Sequence, residues 1–396
     1  MNTLIKRVGF LHHDLHLGGG ERVSYDTASL FASWGIHSVF IAQTHVPEEF
    51  MPPSGDLNDV LLIPKSYKKF DSAYTKLLIE YINARQIDIL FVCGAQPELP
   101  HEVRERTGCR LVFWSHVQPF WEYTCLVERK KRRGRTSILK WLEWQTIGRL
   151  KYQVLSNFRE DNRRSNLNHI KFYDRFIVLC PEYKQQFVEA FDLDDATAEK
   201  IVPIYNTIDL APNPSLDKKK EIVFVGRLDP VQKRVDRLLE VWSKVQQLLP
   251  DWQLKIYGNG RDLENLQRIA QRLKLDRVHF CGYTSDTGSV YQTASILCLT
   301  STFEGWPMVM TEAINYGVVP FVFDCCAGMQ GVLGTDNSCG VLVPPFDLEQ
   351  YTEDLVELCR DEARLMRMRL AALERRKLFT REANNESWLK LLDDLS

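Results

Sequence analysis

Ser301-Thr302-Phe303-Glu304-Gly305-Trp306-Pro307-Met308-Val309-Met310-Thr311-Glu312-Ala313 places two glutamates eight positions apart across the start of a helix. The apolar run just upstream, Ala294 to Leu299, reads as a strand entering that junction. Pro307 suits the first helical turn, where a missing N–H costs nothing. Gly317 suits the C-terminal end. Read this way, Glu304 sits in the loop before the helix, and Glu312 lies one turn in, stacked above Met308. The amides that follow Gly305 would then form an anion site between two acids. Such a site holds a phosphate while carboxylates accept from sugar hydroxyls, which is the chemistry of a nucleotide sugar.

Bulk properties set the frame. With 396 residues, the chain suits two domains of ordinary size. A 44% hydrophobic and 26% charged composition is that of a globular protein, and the net charge of −2 argues against a nucleic-acid partner. Ten cysteines occur without a Cys-x-x-Cys pair, which argues against zinc and against a disulfide framework. Met1 to Arg7 runs straight into a strand with no signal-peptide pattern, and no apolar run reaches the length of a bilayer span. The expectation is a cytoplasmic protein.

Strands alternate with helices along the whole chain, which predicts α/β architecture with parallel sheets covered on both faces. In the first half the strands are expected at Val8–Leu11, His37–Ala42, Ile87–Cys93, Arg110–Trp114 and Phe176–Leu179. In the second half they fall at Glu221–Val225, Gln253–Tyr257, Val278–Cys281, Ile296–Leu299 and Val318–Phe323. Pro203 to Lys220, rich in Pro, Asn and Lys, reads as the linker. A helix is expected over Val235–Leu249, with Val235, Leu238, Leu239, Trp242 and Val245 on one face.

Several local patterns carry chemistry. Val225-Gly226-Arg227-Leu228 ends a strand, where open α/β sheets bind their ligands, and Lys233 follows at the approach to a helix. Together Arg227 and Lys233 can hold a diphosphate, one as a planar fork and the other as a point charge. Tyr257-Gly258-Asn259-Gly260 is a second strand–glycine junction, where Gly258 and Gly260 would let backbone approach a nucleotide; a simple turn is the alternative. Tyr283, after the next strand, is a candidate base contact or a plain loop residue. In the first half, His12, His13 and His16 precede Gly18-Gly19-Gly20, whose glycines suit a close backbone approach. A nicotinamide site is disfavoured, because Glu21 and Arg22 break the required glycine spacing and no acid ends the second strand. His116, ending Leu111-Val112-Phe113-Trp114-Ser115, is either a satisfied structural histidine or a site residue.

Taken in this order, the motifs resemble the retaining glycosyltransferases of family 4. Gly18-Gly19-Gly20-Glu21-Arg22-Val23 is similar to that family's glycine-rich loop, Asn206-Thr207-Ile208-Asp209 to its interdomain element, and Gly226-Arg227-Leu228 with Lys233 to its diphosphate clamp. The glutamate pair stands at the family's spacing. The resemblance implies a GT-B fold, two Rossmann-like domains with parallel sheets facing a central cleft. Their boundaries would be 1–205 on the acceptor side, 206–375 for the nucleotide sugar, and a closing helix over 376–396 packed back on the first domain. It further implies a metal-free enzyme without cofactor. Glu304, His116, Arg227 and Lys233 would serve catalysis. Gly19, Gly20, Gly258, Gly260, Tyr283, Gly305, Trp306, Pro307, Met308, Val309 and Glu312 would bind substrate. The donor would be a UDP-sugar, with Phe323-Asp324 resembling the branch that uses galactose, glucose or their N-acetyl derivatives. The acceptor would be a glycan, often lipid-linked, for lipopolysaccharide, capsule or related surface polysaccharide. A same-fold epimerase or phosphorylase, or a nonenzymatic binding protein, stays open.

Residues 129–158 suggest one more partner. Glu128-Arg129-Lys130-Lys131-Arg132-Arg133-Gly134-Arg135 is densely basic, and Ile138-Leu139-Lys140-Trp141-Leu142-Glu143-Trp144 continues through Ile147, Leu150 and Leu155. A basic run beside a Trp-bearing amphipathic helix reads as a contact with an anionic membrane surface, peripheral on the inner face of the cell membrane. A solvated loop before a packed helix is the alternative.

Overall fold

The computed structural model describes residues 5–13, 15, 19–43, 58–94, 99–134, 138–148, 150 and 157–396. His16, Gly18, Arg135 and Leu155 lie outside them. By internal contacts the chain forms two compact units. Unit 1 comprises 1–120, 159–207 and 381–396; unit 2 comprises 121–158 and 208–380.

Unit 1 is built on a parallel sheet of seven strands: β1 Arg7–Leu11, β2 His37–Ala42, β3 Asn58–Leu62, β4 Ile89–Cys93, β5 Arg110–Trp114, β6 Arg175–Val178 and β7 Ile201–Pro203. They run in the order β3-β2-β1-β4-β5-β6-β7. The central strands are apolar without alternation and buried along nearly their whole length, as expected of a sheet covered on both faces. Phe10 stacks on Phe40 at 5.2 Å and on Phe91 at 5.3 Å. The last helix, Arg381–Leu395, drives Trp388 into this core, edge-on to Phe31 and to Trp114 at 5.2 Å each.

Unit 2 repeats the plan with six parallel strands: β8 Glu221–Val225, β9 Gln253–Tyr257, β10 Val278–Gly282, β11 Ile296–Leu299, β12 Val319–Phe323 and β13 Val341–Val343. Their order is β10-β9-β8-β11-β12-β13. The helix Val235–Val245 buries Val235, Leu238, Leu239, Trp242 and Val245, the stripe its periodicity predicts. Its helical hydrogen bonding ends at Val245, four residues before the expected Leu249.

Four departures from the sequence reading concern sheet edges and one inserted segment. β3, β7 and β13 were not expected; each is a sheet edge, and two have three residues, too few for a period to register. Ile201–Pro203 pairs with β6 even though Pro203 reads as linker, because an edge strand tolerates proline. Residues 121–158 lie between strands of unit 1 in sequence but group with unit 2, so the expected 1–205 body is interrupted. The basic run is helix through Gly134, not loop.

Candidate functional site

In both sheets the strand order reverses beside the first strand, between β1 and β4 and between β8 and β11. Such a switch point opens a crevice at the carboxyl ends of its strands. In unit 2 those ends deliver Gly226-Arg227 from β8 and Thr300 to Glu304 from β11.

Glu304 is the centre of what they bring together. Lys233 Nζ donates to its Oε1 at 2.7 Å, and Ser301 Oγ donates to the same oxygen at 2.6 Å. Gln232 Nε2 donates to Oε2 at 3.1 Å, while Arg227 Nη2 donates to Gln232 Oε1 at 3.2 Å. One amide side chain therefore joins the arginine to the acid. The Lys233–Glu304 pair is buried, with side-chain exposures of 13% and 5%. Gln232 and Ser301 were not singled out in the sequence, although Ser301 stands only three residues ahead of the acid.

Loop 229–234 has its own organiser. Asp229 Oδ1 accepts from the amides of Val231 and Gln232 at 2.8 Å each, and Arg261 Nη2 donates to Oδ2 at 2.7 Å. Burial would raise this carboxyl, but those amides and the nearby guanidinium groups hold it below the ordinary range. The loop is tied to the β11 junction through the Thr302 amide, which donates to the Gln232 carbonyl at 2.7 Å.

Gly258 and Gly260 have a reason that the sequence reading did not supply. The Leu228 amide donates to the Asn259 carbonyl at 2.9 Å, so the loops after β8 and β9 run backbone against backbone. A Cβ on Gly258 would lie 1.8 Å from the Gly226 carbonyl oxygen, and one on Gly260 would lie 2.4 Å from that of Leu228. Here the glycines admit a neighbouring loop.

At the helix Met308–Asn315, Pro307 is the N-cap residue. The Met308 amide donates to the Trp306 carbonyl at 2.9 Å and the Met310 amide to the Pro307 carbonyl at 2.8 Å, so those two positions of the expected anion site are already engaged. Trp306 is buried with its ring 5.7 Å from Phe379, which gives it a packing role. Val309 and Glu312 are half-buried on this helix. Burial raises the Tyr291 hydroxyl well above the ordinary tyrosine value, and the nearby Glu312 carboxylate raises it further. The helix stops at Asn315, and Gly317 takes the left-handed conformation at φ 69°. Gly305 lies buried between Glu304 and Trp306. Tyr283 follows β10 at the sheet edge, its ring exposed, and does not join the Glu304 cluster.

In unit 1, helix Gly19–Ser33 begins at the glycine loop. Gly20 packs on His116, whose ring atoms would lie 3.5–3.8 Å from a Cβ there. His116 Nε2 is buried without a hydrogen-bond partner among the described residues, and desolvation lowers its pKa to about 4. His12 shares Nε2 with Ser24 Oγ at 3.0 Å. Burial, with help from His116 and Lys69, lowers its pKa to about 3. Both imidazoles are neutral at neutral pH.

A cavity of about 470 Å³ opens beside the Glu304 cluster within unit 2. Its walls include Arg227, Gln232 and Phe303 on one side and Trp121, Cys125 and Arg129 on the other. The second set comes from the helix Trp121–Gly134 and escaped sequence reasoning, which read this segment only as charge. Arg132 of the same helix donates to the Pro230 carbonyl and pairs with Asp262 at 3.4 Å, which docks the helix on loop 229–231. Among the described residues, no cluster of three or more His, Cys, Asp and Glu side chains is arranged for a metal ion.

Two parallel sheets with matching switch points, one carrying cations on a buried glutamate after β11, form the GT-B fold, and the proteins this chain is similar to are glycosyltransferases. Residues 207–375 match the family model of glycosyl transferases group 1. An uncharacterised glycosyltransferase of Haemophilus influenzae is 28% identical over 377 residues, covering 91% of this chain and 95% of that one. The lipopolysaccharide 1,6-galactosyltransferase of Salmonella typhimurium is 29% identical over 205 residues, 49% of this chain and 55% of that enzyme. Among solved structures, Anabaena HepE in complex with UDP and glucose superposes with a TM-score of 0.71 over 98% of this chain and 99% of that one, at 16% identity.

Proposed function

We propose that the protein moves a hexose or N-acetylhexosamine from a UDP-sugar to a glycan acceptor, with retention at the anomeric carbon, in the synthesis of lipopolysaccharide, capsule or a related surface polysaccharide. The observation that carries this reading is the Arg227–Gln232–Glu304–Lys233 cluster at the switch point of the second sheet. The UDP and glucose of HepE and the galactosyl transfer of the Salmonella relative support the choice of donor and pathway.

In this reading Arg227 and Lys233 meet the diphosphate, and Glu312 accepts from the ribose hydroxyls. The bond from C1 to the β-phosphate oxygen breaks, and negative charge grows on the leaving diphosphate. The two cationic side chains take up that charge, so the reaction calls for no metal or cofactor. The acceptor oxygen bonds to C1 on the same face, and its proton passes to the departing phosphate oxygen. Glu304 steadies positive charge near C1 and does not attack it: its carboxylate is already held by Lys233, Ser301 and Gln232.

A lipid-linked acceptor would bring the protein to a membrane. No helix among the described residues is long and apolar enough to cross one. Ile138 and Leu139 are 78% and 80% exposed in the helix Ile138–Glu143, and Ile147 is 67% exposed in the π-helical turn Trp144–Gly148 that follows. We assign this face to an anionic bilayer surface. Flotation with anionic vesicles should fail for Ile138→Glu with Leu139→Glu; equal flotation of that variant and the parent excludes the contact.

The donor reading is tested by thermal stabilisation with UDP, GDP, ADP and NAD at matched concentrations. UDP at a hundredfold excess over its Kd adds about 2.7 kcal/mol, a clear upward shift in Tm. A panel of UDP-sugars then names the sugar through UDP release. A response to GDP or ADP in place of UDP overturns the donor, and silence from all four overturns the site.

A further inference from the structure

Helix Trp121–Gly134 sets Trp121, Cys125 and Arg129 at i, i+4 and i+8, a single stripe, and that stripe is one wall of the cavity beside Glu304. The other wall is made by the loops that leave β8, β9 and β11 at their ligand-binding ends. Three guanidinium groups line the cavity, from Arg129, Arg227 and Arg261, against one carboxylate, Asp229. Arg261 is neutralised by Asp229 at 2.7 Å, and Arg227 leans on Gln232. Arg129 is exposed and makes no hydrogen bond or ion pair with the described residues. Beside it, Trp121 and Phe303 meet edge-to-face at 5.0 Å, an aromatic wall suited to the apolar face of a pyranose ring.

Neither Lys233 nor Glu304 lines the cavity, which reaches the donor cluster only through Arg227 and Gln232. A diphosphate held by Arg227 and Lys233 therefore leaves Arg129 unanswered, across a space large enough for a substituted monosaccharide. We propose that this cavity is the acceptor subsite and that it selects a sugar bearing a phosphate or carboxylate, with Arg129 as the residue that reads the anion and Trp121 as the platform for the ring. Arg129 is thus a specificity residue, and the inserted helix is docked by Arg132 to present it. The proposal rests on the donor reading for its role in transfer, but not for the binding itself.

Calorimetric titration of the full chain separates the two. UDP is titrated first; galactose, galactose 6-phosphate, galacturonate and inorganic phosphate follow, each with and without saturating UDP. One or both of the charged sugars should bind about tenfold or more tightly than galactose, as a charge-assisted hydrogen bond provides. Whichever is preferred identifies phosphate or carboxylate as the source of the charge. Arg129→Gln should erase the preference and Arg129→Lys restore part of it, with UDP affinity within about twofold of the parent in both. Trp121→Ala should weaken all three sugars alike. Equal binding of charged and neutral sugars overturns the proposal, as does a galactose 6-phosphate affinity no better than that of inorganic phosphate. An Arg129→Gln variant that loses UDP as much as sugar also overturns it, by moving Arg129 to the donor. Failure of UDP to bind counts against the donor reading alone, since the sugar titrations without UDP still decide this one.

Discussion

Lys233 Nζ and Glu304 Oε1 stand 2.7 Å apart in a nearly dry site, so each charge is held in place by the other. The two are 71 positions apart in sequence, and the β8–β11 switch point is what makes them neighbours. Substituting either should lower turnover about 10²–10³-fold. Their effects on donor affinity should part: Lys233→Ala removes a cation from the diphosphate and weakens UDP binding, whereas Glu304→Gln leaves the ammonium with less competition and keeps or tightens it. Breaking a buried pair from one side costs about 3–5 kcal/mol in stability, so the double variant should lose less than the two singles added together. Paired measurements of UDP affinity and urea denaturation check both statements.

The desolvated imidazoles of His12 and His116 in unit 1 predict an acid-sensitive fold. His12 and His116 have folded pKa values of about 3 and about 4, below the ordinary 6.5. Below about pH 6.5 the unfolded chain takes up protons that the folded chain refuses, so stability falls with pH until the folded values are reached. Above pH 7 neither group contributes. Each histidine adds a slope of about 1.4 kcal/mol per pH unit inside that window. Denaturation curves from pH 7 to pH 5 should show the decline, and His116→Gln should flatten part of it.

What was legible and what was not follows from distance along the chain. The inner strands, the Glu304–Glu312 junction and the Gly317 stop are local patterns, and local patterns survive in a single sequence. The bridging place of Gln232 and the cavity-wall place of Arg129 were not legible, because both depend on neighbours brought together by the fold. Gly258 shows why such a junction is hard to read: a strand–glycine pattern looks the same whether it clears space for a ligand or for another loop. In the basic run 128–135, charge density does not say that Arg132 faces Pro230 and Asp262 while Arg129 faces a cavity.

The contact between the β8 and β9 loops can be tested at its closest point. Gly258 has φ 144° and its Cβ would strike the Gly226 carbonyl, so Gly258→Ala must push the Arg227 loop out of place. The expected loss exceeds about 2 kcal/mol, with UDP affinity falling in step. Gly35, at φ 79° with nothing within 4 Å of its Cβ position, is the control: alanine there should cost only the left-handed penalty of about 1–2 kcal/mol. Similar losses at both positions, with UDP affinity intact, would show that the loop contact does not position Arg227.

Trp388 gives the last prediction. It sits in the final helix yet is buried among Phe31, Phe91 and Trp114, with ring centroids 5.2–6.0 Å away. The core of unit 1 is thus completed by residues that the ribosome adds after all of unit 2. Trp388→Ala should remove about 3–5 kcal/mol from unit 1 through lost burial and the cavity left behind. Ending the chain at Thr380 should remove more, since Leu391, Leu392 and Leu395 are buried in the same helix. Unit 2 keeps its own sheet and its Glu304 cluster in either variant, so UDP binding should persist while unit 1 becomes protease-sensitive at lower denaturant concentration. Limited proteolysis with peptide mapping, run with and without UDP, reads both units at once. Simultaneous loss of the two units would mean that the closing helix stabilises the chain as one cooperative body.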